Sequence, residues 1–173
     1  VNKRDDRYGG SIENRMRLLE EVLDAVVNEF PKERIGVRLS PLAQASDISD
    51  SDPEALFSAV YKMLSDRDLA YLHVVEAFPG SDGDSEQHAL IRRLREKYDG
   101  VYIANGGYDA DSAVREIEGW NADAVTFGRP FIANPDLPER YRRDAALNEP
   151  DPDTFYGGDE TGYIDYPFLD EPR

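Results

Sequence analysis

Cysteine is absent from the 173 residues. That excludes disulfides, thiolate metal sites and cysteine nucleophiles together. Histidine is scarce, with two copies. Neither His73 nor His88 has nearby carboxylates at ligand spacing, so no metal is expected. No run approaches the ~20 apolar residues of a membrane span, and no membrane partner is expected. No charged-then-apolar leader precedes the first helical pattern, so a cytoplasmic location is expected. The motif inventory is thin as well. There is no G-x-S-x-G elbow, no G-x-G-x-x-G fingerprint, and no P-loop, since no GK[ST] follows the paired glycines.

Positive charge is the other shortage. Lysine and arginine total 20 against 36 acidic residues, a formal net charge of −16, and only four of the 20 are lysine. The acid is spread along the chain. Such a surface repels a polyanionic nucleic acid, and no nucleic-acid partner is expected. An evenly acidic, lysine-poor surface repels itself in dilute buffer and tolerates salt. Two readings stay open: adaptation to a salt-rich cytoplasm, or an ordinary soluble acidic protein.

What is present is a strict alternation of patterns. Ile12, Met16, Leu19, Val22, Leu23, Val26 and Val27 recur at helical spacing, with Ser11 as N-cap and Pro31 as the stop. RIGVRLSP (34–41) reads as a strand and LAQASDISDSD as a loop. Residues 53–68 read as a helix with proline in its first turn. Residues 69–77 read as a buried strand, FPGSDGDS as a loop and 86–99 as a helix. Residues 100–107 read as a strand running into glycines, 109–121 as a helix, 122–128 as a strand and 134–147 as a helix. The remainder, 148–173, is rich in proline, glycine and aspartate and reads as irregular. A helix followed by four βα units implies a parallel sheet covered by helices, the α/β class. The strands are nearly continuously apolar, as expected for burial on both faces. Two architectures remain: an open doubly wound sheet, or half of a (β/α)8 barrel, whose usual length is roughly 250 residues.

Three strand ends carry candidate chemistry. Arg38 lies in the strand GVRLSP. It reads either as a buried ion pair or rim residue, or as a cation aimed at an anion or an electron-rich ring. Gly106 and Gly107 stand between a strand and a helix. They read as a tight turn, or as a place where phosphate approaches backbone N–H groups. Gly128 and Arg129 end the last strand, where a backbone amide and a guanidinium can hold phosphate. Two neighbouring strand ends with glycine, one with arginine, favour the phosphate reading, as in the last βα loops of barrels. His73, in a strand, reads as a core histidine. Glu76 either points into a site or caps the strand exit. Tyr108 and Tyr156 lie near the relevant loops and read as packing.

Several segments taken in order resemble one family: DDRYGGSIENRMRLLEEVLDAV, IGVRLSP, ANGGYDADSA, DAVTFGRPFIANPDL and TFYGGDETGYIDYP. Together they resemble the Old Yellow Enzyme family of flavin-dependent ene-reductases, in particular its N-ethylmaleimide reductase-like branch. The resemblance covers essentially the whole chain.

The resemblance implies a (β/α)8 TIM barrel of which this chain holds the C-terminal half, strands five to eight. It divides the chain into an FMN-binding half barrel (1–147) and an irregular tail (148–173) packing near the flavin site. It implies FMN as cofactor and NAD(P)H as reductant, with hydride passing from the flavin to an α,β-unsaturated small molecule. Arg38 matches the arginine at the flavin N1/O2 edge. Gly106 and Gly107 match the backbone pair at the FMN phosphate, and Gly128 and Arg129 the second part of that clamp. Tyr156 matches an aromatic beside flavin and substrate, a substrate contact. Asn105 and Phe127 flank these positions. The family's carbonyl-binding His/His or His/Asn pair and its proton-donating tyrosine match nothing here, so no catalytic residue is assigned and the fragment is not expected to turn over alone. Self-association or a complementary N-terminal half is the expected partner, because a half barrel leaves strand edges open. The competing reading is a non-catalytic flavin- or phosphate-binding half barrel, or a truncated remnant.

Overall fold

The computed structural model describes residues 2–43, 48–77 and 85–170. The expected loops over 42–52 and 78–85 fall partly outside these residues. By contacts the chain divides into two compact units, Val1–Thr126 and Phe127–Arg173.

The first unit opens with helix α1, Ile12–Glu29, capped by the Ser11 hydroxyl, which accepts from the Asn14 N–H. Asn14 turns its own amide to the Gly9 carbonyl at 2.9 Å, so it anchors the entering chain instead of completing a capping box. Four strands follow, β1 (Gly36–Leu39), β2 (Tyr71–Val75), β3 (Tyr102–Asn105) and β4 (Ala124–Thr126). Between them run α2 (Pro53–Arg67), α3 (Ser85–Arg95) and α4 (Ala110–Glu118). All strand pairs are parallel, in the order β1-β2-β3-β4. Sequential order has no point at which the winding reverses, so the doubly wound alternative falls and the barrel-type order stands.

The sheet buries one face. Val37 and Leu39, Leu72 and Val74, and Tyr102 and Ala104 pack with Met16, Leu23, Tyr61 and Leu64 of the helices. Of the alternate positions, Gly36, Arg38 and Tyr71 are exposed, His73, Ile103 and Asn105 are half-buried, and Val75 is buried. This departs in part from the expectation of burial on both faces. The helices of this unit cover one side, and apolar side chains on the other side, such as Tyr71, stay open to water.

The second unit has no strand among its described residues. It holds α5 (Arg129–Ala133), α6 (Leu137–Arg142) and a 3₁₀ turn at Pro152–Thr154. The helix expected over 134–147 shortens to α6, and α5 precedes it over a stretch where no helix is expected. Pro130 begins α5 in its first turn, and Asn134, Pro135 and Asp136 separate it from α6, which carries its own proline in the first turn. Arg140 is only 4% exposed. It donates to the Asp136 carboxylate at 2.6 Å, to the Ala146 carbonyl at 2.6 Å and to the Pro167 carbonyl at 2.9 Å. Asn134, fully buried, donates to the Pro130 carbonyl and accepts from the Asn148 N–H at 2.7 Å.

Candidate functional site

Arg38 stands on β1 in register with His73 of β2, which pairs in turn with Ile103 of β3. It is exposed. Exposure excludes the buried ion pair and leaves the rim position and the ligand-facing cation as the readings. Most arginines described in this chain meet a carboxylate, as Arg15 does with Asp50 and Arg93 with Glu54. Arg38 meets none among the described residues.

Arg38 also acts on its neighbour. Burial, then the positive charge of Arg38, holds His73 below the ordinary imidazole pKa. Its Nε2 lies 3.0 Å from the Thr126 Oγ1, and Thr126 also donates to the Ala104 carbonyl at 3.3 Å. His73 is a satisfied strand histidine, as the sequence suggested. His88 is exposed on α3. Among the described residues no group of three or more His, Cys, Asp or Glu could hold a metal.

Gly106 and Gly107 follow β3 with φ of +144° and +70°. A Cβ on Gly106 would lie 2.6 Å from the Ala77 N, so the turn is pressed against the chain leaving β2. Around Gly107 a Cβ would meet nothing within 4 Å, and this glycine is exposed. Its side of the turn is open to a ligand, while the Gly106 side is not. Helix α4 begins three residues later with a capping box between Asp109 and Ser112. The Asp109 carboxylate takes the Ser112 N–H at 2.8 Å, so the helix terminus already has its anion. Any phosphate at this strand end must rest on the glycine turn itself. Asn105 donates to the Thr126 carbonyl at 2.9 Å and fixes the last rung between β3 and β4.

Glu76, which the sequence leaves open between site and strand cap, joins Tyr108, which the sequence reads as packing. Glu76 lies one residue past β2, on the side of Leu72 and Val74, so it faces the helices. Its carboxylate accepts from the Tyr102 hydroxyl at 2.7 Å and from the Tyr108 hydroxyl. Burial pushes its pKa up against the pull of these two donors. Burial likewise raises Tyr108, Tyr102 and Tyr61. The alternation Leu72, Val74, Glu76 was the signal that places this carboxylate on the helix side.

In the second unit, Gly128 is exposed and precedes α5 without a side-chain cap, and its carbonyl accepts from the Phe131 and Ile132 N–H groups. The Arg129 guanidinium lies 5.8 Å from the Phe155 ring centre and has no carboxylate partner among the described residues. Tyr156 is 95% exposed beside Phe155, edge to face at 6.3 Å. Phe127 packs edge to face on Tyr141 at 5.3 Å. A cavity of about 510 Å³ is lined by Gly128, Phe131, Ile132, Tyr163, Ile164 and Phe168, among others.

Parallel strands in sequential order, alternating with helices, define a segment of a β/α barrel. Residues 1–148 match the NADH:flavin oxidoreductase / NADH oxidase family. The chain belongs to this family, the Old Yellow Enzyme family. It is 44% identical over 175 residues to 12-oxophytodienoate reductase 1 of Oryza sativa subsp. japonica, covering 99% of this chain and 46% of that protein. It is 45% identical over 168 residues to a Leishmania infantum protein bearing the name "Probable flavin mononucleotide-dependent alkene reductase", with 97% and 45% covered. Among solved structures, morphinone reductase matches with a TM-score of 0.89 at 50% identity, over 98% of this chain and 45% of that one. The chain thus spans about half the length of the relatives it matches, and its fold is a partial TIM barrel.

Proposed function

We propose that this chain supplies the cofactor-holding half of an FMN-dependent ene-reductase, with NAD(P)H as reductant and an activated alkene as substrate. The exposed Arg38, which has no carboxylate partner among the described residues, carries the reading. In a chain of net charge −16, such a cation on the less covered face of the sheet suits an electron-rich or anionic ligand. Gly107 presents an open backbone at the end of β3. Arg38 and the glycine turn lie two strands apart, roughly 10 Å, and the turn lies a further ~10 Å along the strand direction. That spacing fits a group with a ring at one end and a phosphate at the other.

When bound, FMN supplies two-electron hydride chemistry between the nicotinamide and the alkene. The chain's residues bind and orient. Arg38 holds negative charge at the ring edge, and the Gly106–Gly107 backbone receives the phosphate. Within the second unit, Gly128 and Arg129 form a further phosphate-binding element, and Tyr156 contacts substrate. Turnover belongs to the complete barrel, because neither His73, bonded to Thr126, nor His88, out on α3, is placed to hold a substrate carbonyl.

The test is flavin retention. The chain is incubated with FMN or riboflavin, passed over a sizing column, and read by absorbance in the protein peak. FMN held in preference to riboflavin, and lost on Arg38→Ala with an unchanged melting temperature, supports the reading. Retention of neither flavin, or of both alike, overturns it.

A further inference from the structure

The Gly106–Gly107 turn has both of its ends in the grip of one residue. Its leading end is the Asn105 carbonyl, which accepts from the Glu76 N–H at 2.7 Å. Its trailing end is Tyr108, whose hydroxyl donates to the Glu76 carboxylate. The second carboxylate oxygen is taken by the Tyr102 hydroxyl at 2.7 Å, which ties Glu76 to β3 itself. The next residue, Ala77, fills the floor, with its N and O at 2.6 and 3.0 Å from where a Gly106 Cβ would stand. Three points of contact therefore set the height of a two-residue turn.

An apolar core has no need of such a group. A buried carboxylate is among the costlier side chains to fold away, and here it has hydroxyl partners without a directly bonded cation among the described residues. Its other neighbours come from each surrounding helix: Tyr61 on α2, Arg92 on α3 and Glu116 on α4. Arg92 gives its guanidinium to Glu116 at 2.6 Å. The carboxylate is thus left to the two tyrosines. One of them stands directly after the glycines, and it links this cluster to the open side of the turn.

We propose that Glu76 is a positioning residue for the phosphate-binding turn, acting through its backbone N–H on Asn105 and through its carboxylate on Tyr108. The inference rests on the reading of Gly106 and Gly107 as a phosphate site. Backbone amides bind an anion well only when they are held in place beforehand, and glycines cannot hold themselves. Glu76 stands behind the turn, on the helix side of the sheet, so its charge is turned away from the ligand and satisfied by the two hydroxyls.

The probes are FMN and riboflavin, which differ by the phosphate alone. Dissociation constants for both are measured on the wild-type chain, on Tyr108→Phe and on Glu76→Gln, with melting temperatures as the check on folding. Tyr108→Phe removes one hydroxyl and keeps the ring, so it spares the core if Glu76→Gln does not. Losing one hydrogen bond to a charged group corresponds to about a tenfold effect. The expected result is an FMN affinity lowered about tenfold in Tyr108→Phe, with riboflavin affinity unchanged. An unchanged FMN-to-riboflavin ratio, or both affinities falling together, overturns the positioning role and leaves the pair as part of the core. A wild-type chain with no preference for FMN overturns the phosphate reading itself, and this inference with it.

Discussion

At the scale of single residues, the buried carboxyl of Glu76 makes a prediction about pH. Burial raises its pKa in the folded chain. The folded state therefore holds this proton more tightly than the unfolded state does. The stability it contributes is fully present below the unfolded value, near ~4.3, and declines as pH rises through the raised folded value. Glu76→Gln removes the titration. The urea midpoint of the variant, measured against pH, is expected to lack the downward slope that the wild type shows above about pH 4.3. Parallel curves for the two proteins would count against it. Most carboxylates with resolved shifts behave in the opposite way. The Arg93 hydrogen bond lowers Glu54, and the Ser112 hydrogen bonds lower Asp109. Their contributions fade in acid, so the Glu76 slope is best read as a difference between the two proteins.

At the scale of elements, the second unit shows what side-chain amides do when helices are short. Asn134 closes α5 by donating to the Pro130 carbonyl, and it meets Asn148 through both the side-chain amide and the Asn148 N–H. Asn134→Ala leaves those backbone groups without their partner, at about 1–3 kcal/mol for each one that stays buried. Thermal unfolding monitored through the second unit's aromatics is expected to move down by several degrees. A shift within error would show that water replaces the amide. The same region marks the limit of what could be read from sequence. Helices α1, α2 and α4 were legible from their apolar spacing and caps, and the order of strands followed from their alternation with helices. Helix α5 was missed although Gly128 and Pro130 are a start signal, because Pro135 and Pro138 offered a second start a few residues on. Arg38 and the glycines were legible as candidates from their places at strand ends. The exposure of Arg38 was not, because a strand's pattern does not reveal whether its second face is covered. Glu76 and Tyr108 could not be joined from sequence, since their meeting depends on the register of β2 against β3.

At the scale of the whole molecule, net charge decides how the protein responds to salt. Ion pairs such as Arg4–Asp6 and Lys32–Asp68 are exposed at the surface. Such solvent-exposed pairs contribute little to stability and weaken in salt. The sixteen uncompensated negative charges repel one another at every ionic strength below full screening. The second effect outweighs the first, so the melting temperature is expected to rise between low salt and molar sodium chloride. A melt that does not move, or that falls, would show that pairing and not repulsion governs the surface. A different consequence follows from Arg140. Small protein units with little apolar mass are commonly stapled by disulfides, and a chain without cysteine has no such means. Arg140 joins residues 136, 146 and 167 through one planar fork. It does the work of a crosslink that no reductant can cut and no oxidant is needed to form, and one that can reclose after every opening.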